Sequence, residues 1–180
     1  MKNDKTYKIV MTGLMMCLVM VTTWIVKVPI AFTNGYVHLG DAAIFLSVLV
    51  LGKKHGVVAA GVGSALADVI GGYAYFAPWT LIVKALMALV MGIALEYMEK
   101  KGMLHEHRKV TWVELIAMAI GGIEMAAGYY LVEVFMTKSW LAPIPAIPAN
   151  IGQFVVGMVL ATALASALYH TPAKKYFAFK

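Results

Sequence analysis

Six stretches of this chain are apolar for long enough to cross a lipid bilayer, and no other feature restricts its fold as much. They lie at about 9–26, 39–51, 57–73, 79–97, 111–135 and 149–169. A spanning helix needs roughly 20 apolar residues, within a range of about 17–25. Backbone in hydrocarbon must satisfy its own hydrogen bonds, so repeated runs of this length fold as a helix bundle. The run at 39–51 is short for a full span, and either extends back towards Tyr36 or is partly broken. Composition agrees: 62% of the 180 residues are hydrophobic, against about 45–50% in soluble domains. The expectation is an all-α integral membrane protein with six transmembrane helices. It is a single domain over 1–180, because the longest polar segment, 96–109, is too short to fold alone. The first run lacks a small-x-small cleavage site before Lys27, so it is read as a helix and not as a cleaved signal peptide.

The loops set the orientation. The segment before the first run carries Lys2, Lys5 and Lys8, and the tail carries Lys174, Lys175 and Lys180. Between helices, cation-rich loops (Lys53, Lys54; Lys100, Lys101, Arg108, Lys109) alternate with loops holding Lys27 alone, no charge, or Lys138 alone. Cations concentrate on the cytoplasmic side, which places 12 of the 15 basic residues and both termini inside. This pattern also explains the net charge of +6 without nucleic acid as a partner.

The polar residues inside the apolar runs gather at one depth. Asp41 opens the second helix, Asp68 lies near the outer end of the third and Lys84 in the outer third of the fourth. Glu124 is near the middle of the fifth helix and Glu133 near its outer end. Asn150 and Gln153 follow Pro148 at the outer start of the sixth, three residues apart and so on one face. Charges at such depth are costly and mark functional sites. The inner half has no comparable set. Mostly apolar walls with a few converging polar groups are what a small-molecule pocket requires.

Each residue also has a plainer reading. Asp68 and Lys84 either pair to hold helices 3 and 4 together or contact a ligand, and a ligand inserted between them would satisfy both roles. Asp41 is either a carboxylate at a helix N-terminus or part of the pocket. Glu124 is too deep to cap a helix; it is protonated or paired, with Lys84 as one partner, and it either serves that structural role or belongs to the substrate-binding pocket. Glu133 is either at the solvated rim or in the pocket. Asn150 caps a helix start or, like Gln153, reads donors and acceptors of a heterocycle. Tyr36, Tyr73, Tyr75, Trp79, Tyr129, Tyr130 and Trp140 form an interfacial belt, or some of them, Tyr75, Trp79 and Tyr129 foremost, stack on a planar ligand. His38 is the one outer histidine and a candidate contact. His105 and His107 lie in a charged inner loop and read as solvated.

Enzymatic chemistry finds no support. His105-Glu106-His107 lacks the spacing of a helical zinc site, and Ser64 and Ser166 have no base nearby in sequence. The single cysteine, Cys17, excludes an internal disulfide and a multi-cysteine metal site. GVGSALAD (61–68) lacks the lysine of a nucleotide phosphate loop. A channel needs a polar lining through the inner half, so a channel-like or purely structural bundle is the weaker alternative. Small-xxx-small pairs recur: Gly13 and Cys17 in helix 1, Ala60 and Ser64 with Gly61 and Ala65 in helix 3, and Gly157, Ala161 and Ala165 in helix 6. Such stripes let helices pack closely, within the chain or against a partner.

Three stretches carry a family likeness: GYVHLGDAAIFLSVLVLG (35–52), GVGSALADVIGGYAYFAP (61–78) and GYYLVE (128–133). With them the chain resembles the substrate-binding S components of energy-coupling factor (ECF) vitamin transporters. Within these it is most similar to the hydroxymethylpyrimidine or pyridoxine subgroup, often labelled riboflavin-like, and the likeness runs over about 9–170. The resemblance implies a subunit of a bacterial cell membrane that binds a vitamin or precursor near the outer face. It implies docking on a transmembrane coupling subunit that bears two cytoplasmic ATPases, with ATP bound by those partners and no cofactor in this chain. It also implies a helix-1 docking face, where Gly13 and Cys17 stand at the positions of the family's Ala-xxx-Ala pattern. The expected ligands are hydroxymethylpyrimidine or pyridoxine, then riboflavin, then pantothenate or thiamine. Several carboxylates against one lysine suit a neutral or weakly basic ligand better than an anion.

Overall fold

In the computed structural model, residues 5–29, 36–104 and 109–179 are described. Lys2, Asn34, Gly35, His105, Glu106, His107, Arg108 and Lys180 lie outside them. Five helices are long and apolar enough to cross a membrane: α1 Lys5–Ile25, α2 Gly40–Ile70, α3 Ala77–Lys100, α4 Trp112–Thr137 and α5 Ala146–Tyr169. Between α1 and α2, strands β1 (Lys27–Pro29) and β2 (Tyr36–His38) pair antiparallel, with Lys27 opposite His38. The sequence reading treated 27–38 as plain loop, so this short hairpin is an addition to the all-helical expectation.

The second and third apolar runs are joined in α2, which breaks at Gly52. There φ is 76° and ψ 177°, a backbone that glycine adopts without the penalty of a side chain. A Cβ built on Gly56 would fall 2.9 Å from the Val48 Cα. In a continuous helix residues eight apart are about 12 Å from each other, so the chain reverses at the break and its halves pack against one another. Every residue from 40 to 50 is buried. The first half of α2 is therefore the axis of the molecule, enclosed by protein. A helix so enclosed has no need to match the thickness of the bilayer, which explains its short apolar run.

Small residues let the other helices close in. A Cβ on Gly61 would meet the Leu81 carbonyl of α3 at 3.0 Å, and one on Gly63 the Met16 carbonyl of α1 at 2.7 Å. On α4, a Cβ at Gly121 would meet the Met87 carbonyl of α3 at 2.9 Å. The helix-3 stripe of the sequence thus serves contacts within the chain. Helix α4 begins with a capping box, in which the Glu114 carboxylate accepts from the Thr111 backbone N–H at 2.9 Å and from its hydroxyl.

The two ends of the bundle differ. At one end the hairpin lies beside the start of α5. At the other the C-terminal tail folds back after a 3-10 turn, Pro172–Tyr176. Phe177 stacks on Tyr169 at 4.2 Å. The Ala178 N–H donates to the Leu49 carbonyl at 3.0 Å, satisfying an acceptor beside the break. Lys53 and Glu96 pair at 2.6 Å at this tail end. Outward faces remain apolar, with Ile9 69%, Leu14 59%, Ile123 62% and Val159 65% exposed, as in a bundle whose solvent is lipid.

Candidate ligand-binding site

The site is built at the hairpin end, on the first turn of the central helix. Gly40 holds α1, the hairpin and α2 together, because a Cβ there would lie 2.0 Å from the Thr23 Oγ1. Its N–H donates to the His38 Nδ1 at 2.9 Å. The imidazole proton therefore sits on Nε2. Burial, with the Lys84 charge adding to it, pushes the His38 pKa from 6.5 down to about 3, so the ring is neutral at ordinary pH.

Asp41, the next residue, is fully buried. One carboxylate oxygen accepts from the Lys84 ammonium at 2.5 Å, and Lys84 is itself fully buried. The other accepts from the Gln153 amide at 2.8 Å. The Gln153 carbonyl oxygen in turn accepts the His38 backbone N–H at 2.9 Å. A single chain of hydrogen bonds thus ties β2 to α5, α5 to α2 and α2 to α3. Gly157, one turn along α5 from Gln153, makes this contact possible: a Cβ there would lie 2.8 Å from the Asp41 Cβ. The Lys84 ammonium also sits 5.3 Å from the centre of the Tyr129 ring. The Tyr129 hydroxyl donates to the Thr80 hydroxyl at 3.4 Å.

Two pairings considered from sequence are therefore corrected. Lys84 joins Asp41 rather than Asp68 or Glu124, while Asp41 does stand in the first turn of α2. Asp68, also buried, shares its surroundings with Lys27 of the hairpin, whose ammonium lies 5.0 Å from the Tyr73 ring centre. Burial lowers the Lys27 pKa and Asp68 acts to raise it. Glu124 faces α3 beside Gly128, and its Oε2 is buried without a hydrogen-bond partner among the described residues. Glu133 and Asn150 are buried near the same end.

The aromatic candidates separate. Tyr129 belongs to the network. Trp79 packs obliquely on Phe135, with ring centres 5.4 Å apart, and Phe135 is itself 57% exposed, as in a membrane-interface belt. Tyr75 is half exposed, tilted on Phe76 at 5.0 Å. A cavity of about 280 Å³ opens between the hairpin and the start of α5, with His38 and Gln153 as its polar edge and Val26, Val37, Pro148 and Val156 among its walls. Its size is near the lower end of small-molecule pockets, about 300–1,000 Å³. Among the described residues, no group of three or more His, Cys, Asp and Glu side chains could hold a metal. Sequence reasoning missed Thr80, although its four-residue spacing to Lys84 puts both on one face of α3. It also read Lys27 as a loop cation only.

Gly13 and Cys17 lie elsewhere, along α1. Cys17 is exposed, and a Cβ on Gly13 would meet nothing within 4 Å. Both therefore stand on a side of α1 that the described residues leave largely uncovered.

The family model for "ECF-type riboflavin transporter, S component" matches residues 3–170. The chain belongs to the S components of ECF-type transporters. It is a multi-pass membrane protein and a transport subunit, not an enzyme. This S component is 23% identical to the thiamine precursor transporter HmpT of Lactococcus lactis over 172 residues, 95% of this chain and 93% of that one. It is 39% identical to an uncharacterised protein of Pyrococcus woesei over 111 residues, 62% of this chain and 68% of that one. Its fold is that of the crystallised S component for biotin from an ECF-type ABC transporter. The TM-score is 0.70 at 16% identity, with 97% of each chain covered.

Proposed function

We propose that this S component captures a small planar vitamin or vitamin precursor from outside the cell, with hydroxymethylpyrimidine or pyridoxine favoured. The observation that carries the reading is the buried Lys84–Asp41–Gln153–His38 network at the hairpin end. It converges four elements on one small volume, with Tyr129 as a flat aromatic wall. The ligand sits against this network, contacting His38, Tyr129, Asn150 and Gln153, with Asp68, Tyr75, Trp79 and Glu133 forming the rim. A cavity of about 280 Å³ suits a single ring better than a tricyclic flavin. The full-length likeness to a thiamine precursor transporter supports the same choice.

In this reading the chain is one membrane domain with six spans, the two halves of α2 counting separately about Gly52. Both termini face the cytoplasm, since the cation-rich segments then lie inside. The subunit resides in the cell membrane and docks through α1, at Gly13 and Cys17, on a transmembrane coupling subunit with two ATPases. ATP hydrolysis in those partners reorients it towards the cytoplasm. The test is uptake of labelled hydroxymethylpyrimidine into proteoliposomes that hold the subunit with a coupling subunit and ATPases. Accumulation that needs ATP and all components is expected. Equal accumulation without ATP or without the partners would refute the assignment.

A further inference from the structure

At the tail end of the bundle the C-terminal segment docks by one side only. Phe177 and Phe179 are buried, the Phe177 ring stacks on Tyr169 at 4.2 Å, and the Ala178 N–H donates to the Leu49 carbonyl at 3.0 Å. The other side is exposed and basic, with Lys174 and Lys175. Tyr176 turns it towards the first turns of α1, stacking on Tyr7 with ring centres 5.4 Å apart. The Lys175 ammonium lies 4.9 Å from the Tyr176 ring centre, beside this stack. Tyr7 stands between Lys5 and Lys8, both exposed. An aromatic clasp thus gathers lysines from opposite ends of the chain. Among the described residues the ion pairs are Lys53–Glu96 and Lys84–Asp41, so none of these lysines meets a carboxylate. Like charges so gathered repel one another, and an anion relieves the repulsion. The adjoining surface of α1 is apolar, with Ile9 and Val10 exposed. A small soluble anion gains nothing from such a surface, whereas an acyl chain does.

We infer that the start of α1 and the C-terminal tail together bind the headgroup of an anionic phospholipid, its acyl chains lying along Ile9 and Val10. Lys5, Lys8, Lys174 and Lys175 supply the charge, and the Tyr7–Tyr176 stack holds the two basic segments together. The family match ends at residue 170, so the tail half of this site lies beyond the segment by which the chain was assigned. The site stands at the opposite end of the bundle from the hairpin and does not depend on which ligand is captured there.

The test is titration of the detergent-purified subunit with phosphatidylglycerol and with phosphatidylcholine, followed by native mass spectrometry. Wild type should hold the anionic lipid in clear preference to the zwitterionic one. Lys174→Gln combined with Lys175→Gln should weaken phosphatidylglycerol about 25-fold, roughly five-fold for each lysine, and leave phosphatidylcholine unchanged. Both side chains are exposed, so melting in lipid-free detergent should not change. Tyr176→Leu keeps every charge but breaks the stack, and should weaken the anionic lipid several-fold. Lys100→Gln combined with Lys101→Gln, an exposed pair at the end of α3, should have no effect. Equal affinity of wild type for the two lipids would overturn the assignment. So would an equal loss in the Lys100 and Lys101 variant, which marks a general effect of net charge. Unchanged phosphatidylglycerol binding in the Lys174 and Lys175 variant would overturn it too; if that variant then failed to co-purify with the coupling subunit, the patch would be a protein contact.

Discussion

Replacing Lys84 by Met should destabilise the subunit more than any conservative change elsewhere in the bundle. The Lys84–Asp41 pair is fully buried, with the charged atoms 2.5 Å apart. At an effective dielectric of about 20 the gross attraction is roughly 7 kcal/mol. Desolvation of both ions cancels most of that, so the pair adds little compared with an apolar substitute. Removing one partner is another matter. Lys84→Met leaves the Asp41 carboxylate with only the Gln153 amide, at a cost of about 3–5 kcal/mol. For a chain of this size that lowers the melting temperature by roughly 10 °C. Asp41→Asn alone should cost a similar amount. The double variant leaves no buried charge unpaired and should recover about 2 kcal/mol or more of the summed loss. Thermal unfolding in detergent, followed by tryptophan fluorescence, measures all four proteins. A Lys84→Met variant that melts within 2 °C of wild type, or strictly additive single losses, would refute the claim of mutual neutralisation.

Three other outcomes follow from the same geometry. Gly157→Val would press a side chain onto Asp41, whose Cβ lies 2.8 Å from where the new Cβ must go; a loss of about 1–3 kcal/mol together with weaker ligand binding is expected, and an unaffected binding isotherm would show that α5 need not approach so closely. His38 stays neutral down to about pH 3 when folded but has an ordinary pKa of 6.5 when unfolded. Its contribution is complete above pH 6.5 and is lost as pH falls towards 3, by about 1.4 kcal/mol per unit. Between pH 7 and 5 that is roughly 2 kcal/mol, and His38→Asn, which can still accept from the Gly40 N–H, should flatten this part of the stability profile. At Gly13 an added Cβ meets nothing within 4 Å, so in Gly13→Leu folding and ligand binding should persist while co-purification with the coupling subunit and ATPases fails; full-yield assembly would move the docking face off α1.

The apolar runs made the helices legible, because each had to satisfy its backbone in lipid and its length shows in the sequence. Gly52 and the lysines around it marked the reversal in α2 as a connection. The reason 39–51 could be short emerged only from packing, since that segment is enclosed by protein rather than lipid. Among the site residues, Asp41, Lys84 and Gln153 were recognised individually as polar groups at one depth, and Tyr129 as an aromatic of the belt or a stacking contact. Their pairing was not readable. Asp41 and Lys84 are 43 residues apart and Asp41 and Gln153 112 apart, and helical periodicity gives the face of a residue but not its partner across the bundle. Nearness in sequence favoured Asp68 for Lys84, yet Asp68 ends the other half of α2, beside Lys27. The hairpin left no signal because its strands are three residues each, too short for an alternating pattern.

The central claim, capture of a vitamin-like heterocycle by the isolated subunit, is tested most directly by equilibrium titration in detergent. The panel is hydroxymethylpyrimidine, pyridoxine, thiamine, riboflavin and pantothenate, read by tryptophan fluorescence and checked by calorimetry. Saturable binding of one compound, hydroxymethylpyrimidine first, with an affinity on the order of −8 kcal/mol or stronger, is the expected result. Absence of binding across the whole panel, in a subunit that melts cooperatively and is therefore folded, would contradict it.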